Sequence, residues 1–257
     1  MAEIRIVLVE PSHPGNIGAV ARAMMNMSLR SLVLVRPRLF PHPEASARAS
    51  GAEAVLASAR VVDSVGEAIA GCGFIAATTS RERDQYFRVL EAREAARRIV
   101  AESERAPAAI LFGAERTGLT NEDLESSHVL VRIPADSEYA SLNLAMAVQI
   151  IAYELYMARL ERVGEGAAGA ENLRPTPLAT PEEMERLHAH LAEVMEEVGF
   201  RDRTQSGTNL MGRIRRFLQR AELDENEANI LRGLLTAIQQ RRRPAGGARR
   251  AEQERDE

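Results

Sequence analysis

Ile110-Leu111-Phe112-Gly113-Ala114-Glu115-Arg116-Thr117-Gly118-Leu119-Thr120-Asn121-Glu122-Asp123-Leu124 decides the fold. Ile110–Phe112 is apolar without alternation, the pattern of a strand covered on both faces. Gly113 ends it, a loop closed by Gly118 follows, and Asn121-Glu122-Asp123 puts acids at a helix start. In parallel α/β sheets, ligands sit outside the carboxyl ends of strands, so this loop is a candidate cofactor site. The same residues also fit an ordinary strand-to-helix turn.

The unit recurs on both sides of this stretch. Ile4–Val9, Leu32–Val35, Arg60–Val62, Phe74–Thr78 and Val129–Ile133 read as further strands. Helical periods fall between and after them, at Ile17–Met27, Ala45–Ala59, Val65–Ala70, Glu91–Ser103 and Leu142–Leu160. Alternation of this kind predicts an α/β domain over residues 1–160, with a mostly parallel sheet. Residues 161–180 are rich in Gly and Pro and read as a linker. Residues 181–240 carry only helical patterns (181–198, 207–221 and 224–240), predicting a small all-α domain, and residues 241–257 lack periodicity and read as a disordered tail.

Composition narrows the function classes. The chain has 257 residues and a single cysteine, Cys72, so no intramolecular disulfide forms; between two glycines it reads as buried. No apolar run is long enough to span a membrane, and a cytoplasmic protein is expected. Aromatics make up 4% of the residues with no Trp, which disfavours folds that bind RNA on several aromatic platforms. His13, His42, His128, His188 and His190 lack ligand spacing, so no metal is expected. The net charge of −4 hides blocks: residues 201–220 hold six arginines against the single acid Asp202. Arg213, Arg216 and Arg220 share a helix face at offsets 0, 3 and 7, as a phosphate-binding patch or as a solvated basic face.

Two further clusters carry chemistry. After the first strand comes His13-Pro14-Gly15-Asn16-Ile17-Gly18-Ala19-Val20-Ala21-Arg22. Ile17, Val20, Ala21 and Met24 form an apolar helix face, and Gly18, Arg22 and Asn26 form another, where a small residue lets a phosphate or ribose approach under Arg22. A glycine-bearing turn with a solvated arginine fits the cluster equally well. Neither a dinucleotide fingerprint nor a P-loop is present. The other cluster is Val131-Arg132-Ile133-Pro134 followed by Ala140-Ser141-Leu142-Asn143-Leu144-Ala145. Ser141 is placed to cap a helix that is apolar almost all round, which points to burial in the core or at a subunit interface.

Taken in order and spacing, Asn16-x-Gly18-x-x-x-Arg22, Leu111-Phe112-Gly113-x-Glu115-Arg116-x-Gly118-Leu119, and Ile133-Pro134 with Ser141-Leu142-Asn143-Leu144-Ala145 resemble the SPOUT superfamily of RNA methyltransferases. The similarity is to its TrmJ-type tRNA (cytidine/uridine-2′-O-)-methyltransferases. Gly199-Phe200 and Asn229-Ile230-Leu231-Arg232-Gly233 look like that subgroup's C-terminal extension. The resemblance implies an α/β fold with a deep trefoil knot at the third motif, binding S-adenosylmethionine, and a homodimer whose active site lies at the subunit interface. Carried onto matching positions, the cofactor site is Thr78, Thr79, Ser80, Gly113, Ile133, Ala140, Ser141 and Leu142. Arg22 takes the family's catalytic position, with Ser141 and Asn143 holding the hydroxyl and Asn16 the substrate. The implied substrate is nucleotide 32 of the tRNA anticodon loop; Arg213, Arg216 and Arg220, from their shared helix face, are the candidate contacts to its backbone.

The chain departs from the family at Ser28, where glycine is usual, so an altered helix end is expected there. The stretch Ser80-Arg81-Glu82-Arg83 also matches only in part. A 2′-O-methyltransferase acting on another tRNA or rRNA ribose, and a non-catalytic nucleotide-binding module, remain the alternatives.

Overall fold

In a computed structural model, residues 3–80, 88–136, 138–165, 176–200 and 210–242 are described. Seven strands form one sheet: β1 (Ile4–Val9), β2 (Ser31–Val35), β3 (Arg60–Val62), β4 (Phe74–Thr78), β5 (Val89–Glu91), β6 (Ala108–Phe112) and β7 (Val129–Arg132). Their order is β3-β2-β1-β6-β4-β7-β5, and every pairing is parallel. The central strands β1, β4 and β6 are buried almost throughout, as their unbroken apolar runs require.

On one face pack α1 (Pro14–Asn26), α2 (Pro43–Ala49), α3 (Glu53–Ala57), α5 (Ala92–Ser103) and α7 (Leu144–Glu165), sharing a core with Ile6, Leu8, Ile17, Phe74, Ile110 and Ile151. The short helices α4 (Val65–Ile69) and α6 (Asn121–Leu124) cover the other, around Val7, Val33, Ile75, Leu111 and Leu124. Cys72 lies in that second layer, and burial pushes its thiol up to about 11. A third cluster, with Met184, Leu187, Leu218, Ala228 and Leu235, is built by α8 (Pro181–Glu197), α9 (Leu210–Ala221) and α10 (Glu225–Arg242).

Several boundaries differ from the sequence reading. The helix predicted over Ala45–Ala59 is two helices, because Ser50 and Gly51 take left-handed φ values of 44° and 94°. Ser28 ends α1 at a φ of 58°, the conformation for which glycine is usual. α7 runs to Glu165, into the stretch read as linker. Residues 166–175, 207–209 and 243–257, on which parts of the linker, a helix start and the tail were predicted, lie outside the described residues, as do Arg81, Glu82 and Arg83.

The helical segment attaches at the end of the sheet opposite its carboxyl edge. Gln219 Nε2 donates to the carbonyl of Ser126, just before β7, at 3.0 Å, and the Gly71 amide, just before β4, donates to Glu182 at 3.3 Å. Arg98 Nη2 on α5 donates to Glu222 Oε2 at 2.5 Å. Among the described residues no helix is long and apolar enough to cross a membrane.

Candidate active site

The loops leaving β4, β6 and β7 meet at the carboxyl edge of the sheet around an open cavity of about 290 Å³. All eight residues assigned to the cofactor line it: Thr78, Thr79, Ser80, Gly113, Ile133, Ala140, Ser141 and Leu142. Its walls are apolar at Ile133, Leu142 and Leu119 and carry hydroxyls at Thr79, Ser80 and Ser141. The Thr78 hydroxyl instead donates to the Leu111 carbonyl at 3.0 Å, tying the ends of β4 and β6 together.

Gly113 owes its place to the backbone. The loop folds back so that Ala114 and Gly118 form an antiparallel bridge, the Gly118 amide donating to the Ala114 carbonyl at 2.8 Å with Gly118 at a φ of 70°. A Cβ on Gly113 would stand 2.2 Å from the carbonyl carbon of Gly118. Gly18 is also a site of close approach, but of protein: its Cβ would lie 2.1 Å from the Ala45 carbonyl oxygen of α2. The reading of Gly18 as an opening for phosphate or ribose is therefore corrected, because α2 fills that space.

Beside the cavity the three motifs are joined by side chains. Glu115 accepts from the Ser12 amide and hydroxyl at 3.0 and 2.8 Å, from the His13 amide at 3.4 Å, and from Asn16 Nδ2 at 3.0 Å. Burial alone would raise its carboxyl, but the bonds from Asn16 and Ser12 outweigh that and hold it below the usual glutamate range. Asn16 Oδ1 in turn accepts from Asn143 Nδ2 at 3.1 Å. Asn143 Oδ1 accepts from the Ala145 amide at 2.9 Å, so Asn143 caps α7 and the expectation that Ser141 does so is corrected. Ser141, three residues before the helix, is exposed at the cavity.

Glu115 is the site residue that the sequence reading left without a role. Its signal was present as an acid inside the loop, but nothing in sequence shows that the β1 loop closes on it.

Arg22 stands apart. It is exposed, lines no part of the cavity of its own chain, and has no ion-pair or hydrogen-bond partner among the described residues. Six residues beyond Asn16 on α1, it lies roughly 9 Å along the axis and about 120° round from it. On α9, Arg213 and Arg220 are exposed, Arg216 is half-buried, and Arg215 is bound to Glu185 at 2.8 and 2.9 Å. Among the described residues no group of three His, Cys, Asp or Glu side chains is placed to hold a metal. The histidines do structural work instead: His13 and His42 accept from the first turns of α1 and α2, and His128 Nδ1 accepts from the Ile75 amide while its ring stacks on Phe74.

Residues 3–153 match the model of the SpoU rRNA Methylase family, and residues 182–253 match that of the tRNA methyltransferase TrmJ C-terminal domain. A tRNA (cytidine/uridine-2′-O-)-methyltransferase TrmJ from Yersinia enterocolitica is 45% identical over 246 residues, 95% of each chain. The crystal structure of TrmJ from Z. mobilis ZM4 is 34% identical with a TM-score of 0.77, over 93% of this chain and 100% of that one. A structure titled for 2-OH methylation of C/U34 on tRNA is 29% identical with a TM-score of 0.51, over 63% of this chain and 99% of that one.

Proposed function

The chain belongs to the SpoU rRNA Methylase family and carries the TrmJ C-terminal domain, and from that membership we propose that it methylates the ribose 2′-hydroxyl of a cytidine or uridine in tRNA, at nucleotide 32 of the anticodon loop. The methyl donor is S-adenosylmethionine. The observation that carries the reading is the junction of the three motifs, Glu115–Asn16–Asn143, at the edge of the cavity.

The cavity suits that donor on its own chemistry. Ile133, Leu142 and Leu119 offer an apolar wall for a purine, while Thr79, Ser80 and Ser141 offer hydroxyls for a ribose and an amino-acid head. The bound donor supplies a sulfonium methyl as electrophile. Everything else falls to the chain: holding the 2′-oxygen in line with that methyl at about 3–3.5 Å, excluding water, and stabilising the oxygen as its proton leaves. Ser141, exposed at the cavity, is a partner for that hydroxyl, and Asn143, two residues on, is held by Asn16. Asn16 spends its side-chain oxygen and one amide hydrogen inside the chain, leaving a second hydrogen for the substrate. The part of Arg22 is to orient the ribose with its planar guanidinium fork and to stabilise the developing alkoxide.

Arg22 serves the cavity of a partner subunit. Met146, Ile150, Tyr153, Met157 and Leu160 follow a 4-3-4-3 spacing along α7, with Met146 62%, Tyr153 47% and Leu160 49% exposed. An apolar seam of that kind supports a homodimer with the active site at its interface. Ile133, Ala140, Ser141 and Leu142, between β7 and α7, line the cavity together with the β4 and β6 loops, and that arrangement supports the trefoil knot. With tRNA as its substrate, the compartment we propose is the cytoplasm. The domain division we propose is 1–160, 161–180, 181–240 and 241–257, with α7 carrying the first unit on to Glu165 and α10 the third to Arg242, and with Arg213, Arg216 and Arg220 as contacts to the tRNA backbone.

The test is transfer of label from S-adenosylmethionine to bulk tRNA with mapping of the modified nucleotide. A 2′-O-methyl at nucleotide 32 is expected. Methylation at another ribose, such as nucleotide 34, overturns the position and keeps the chemistry; no transfer to any tRNA overturns the substrate.

A further inference from the structure

The four arginines of α9 are not equivalent. Arg215 is committed to Glu185 and Arg216 is half-buried. At 100° per residue, Arg213, Phe217 and Arg220 fall within about 60° of one another. They lie opposite Gly212, Leu218 and Gln219, which the helix buries. All three are exposed, Phe217 to 60%, and neither Arg213 nor Arg220 has an ion-pair partner among the described residues. The outermost line of the helix is thus arginine, phenylalanine, arginine.

That line matches single-stranded nucleic acid. A flat ring open to water takes the face of an unpaired base, and a guanidinium one turn to either side takes the phosphates that flank it. A carboxylate within the line would repel those phosphates, and α9 contains none from Leu210 to Ala221. The low aromatic content argues against a fold with several such platforms; a single ring between two cations needs no such fold.

We infer that Phe217, flanked by Arg213 and Arg220, is a stacking platform for an unpaired base of the substrate RNA, an inference that rests on the tRNA reading above. The base it holds is not the one being methylated in the cavity of the same chain. α9 is fixed to the backbone just before β7, whereas the cavity opens beyond the other end of that strand. Four residues at ~3.3 Å each put roughly 13 Å of sheet between them. Phe217 therefore determines which RNA is held and in which register, while the cavity determines the chemistry.

The experiment measures tRNA methylation kinetics for the intact enzyme, Phe217→Leu, Phe217→Tyr and the double variant Arg213→Gln/Arg220→Gln. Leu keeps apolar bulk without a π face; Tyr keeps the face. Phe217→Leu is expected to raise KM for tRNA roughly 5- to 100-fold, with kcat and the dissociation constant for S-adenosylmethionine unchanged. Phe217→Tyr is expected to stay near the intact enzyme. The double arginine variant is expected to lower the slope of log K against log salt by about 1–2. Normal methylation of tRNA by the intact enzyme with an unchanged KM in Phe217→Leu overturns the platform and leaves the tRNA reading standing. No methylation of tRNA by the intact enzyme overturns that reading and the platform with it. A changed sedimentation coefficient in Phe217→Leu makes the ring a protein contact and also overturns the platform.

Discussion

Asn143 donates to Asn16 across 3.1 Å, joining the start of α7 to the start of α1 over 127 positions of sequence. Both amide orientations are dictated from outside. The Glu115 carboxylate only accepts, so Asn16 must turn its nitrogen to it and its oxygen to Asn143. The Ala145 amide only donates, so Asn143 must turn its oxygen to the helix and its nitrogen to Asn16. Asn143→Ser keeps a side-chain oxygen for the cap and removes the link to Asn16. We expect its thermal midpoint to stay near that of the parent while kcat falls roughly 10-fold, about one lost hydrogen bond in the transition state. Asn143→Ala loses the cap as well, about 1 kcal/mol, and calorimetry should show a midpoint lower by roughly 2–4 °C.

Glu115 gives the same network a pH dependence. Its carboxyl titrates below the ordinary value of 4.5: burial works against the charge, and the bonds from Asn16 and Ser12 outweigh it. A depressed folded pKa means stability that is fully present above the unfolded pKa and lost as pH falls through the folded one. Urea unfolding of the parent and Glu115→Gln should therefore differ most at neutral pH. The difference in midpoint should shrink as pH drops below 4.5. A gap that stays constant down to pH 3 would show that the carboxylate charge contributes nothing there.

Most of the sheet was legible because buried parallel strands advertise themselves as unbroken apolar runs. β5 was not: only Leu90 of its three residues is buried, and Val89 and Glu91 face solvent at the sheet edge. The break between α2 and α3 was signalled by Gly51, but the apolar period continues through it and hid the turn. His13 and His42 cap α1 and α2 with ring nitrogens, a role ordinarily filled by Ser, Thr, Asp or Asn. Gly18 shows the limit most clearly. A helical glycine signals close approach, and only the fold tells whether the neighbour is a ligand or, as here, the backbone of α2.

That distinction separates the two glycines experimentally. Gly113→Ala drives a methyl group into the backbone of Gly118 and Leu119, with no flexible side chain to give way. Gly18→Ala drives one into the Ala45 carbonyl. Each should destabilise the chain by roughly 1–3 kcal/mol, the usual cost of overpacking. Titration calorimetry should part them: Gly113→Ala loses S-adenosylmethionine affinity at least ~10-fold, whereas Gly18→Ala binds it as the parent does.

Sharing of the active site has its own test. If Arg22 reaches a partner's cavity, Arg22→Ala and Gly113→Ala subunits fail separately for different reasons. A mixed dimer then holds one complete site, with the cavity of the Arg22→Ala chain facing the arginine of the other. Mixing the two should restore turnover to a substantial fraction of the parent value. Tyr153→Arg, which puts a charge into the α7 seam, should yield monomers by sedimentation and abolish that rescue. If mixing restores nothing while Tyr153→Arg leaves turnover intact, Arg22 acts within its own chain.

Arg98 and Glu222 connect the helical segment to the α/β domain more firmly than a surface pair. Their side chains are 18% and 10% exposed, and the Arg98 guanidinium also lies 4.9 Å above the Phe74 ring. Glu222 keeps this contact at a left-handed φ of 52°, so the turn between α9 and α10 is held against its own backbone preference. Glu222→Gln leaves the Arg98 charge buried and poorly matched, for which a loss of about 3 kcal/mol is expected by urea unfolding. Arg98→Met/Glu222→Leu removes both charges and should recover most of it. The kinetic signature follows from where the pair sits, between α5 and the α9–α10 turn and away from the residues that line the cavity. Loosening it frees α9, so KM for tRNA should rise in Glu222→Gln while affinity for S-adenosylmethionine holds. Because the double variant restores packing without restoring charge, recovery of KM there would show that RNA binding needs α9 in place and does not need the ion pair itself.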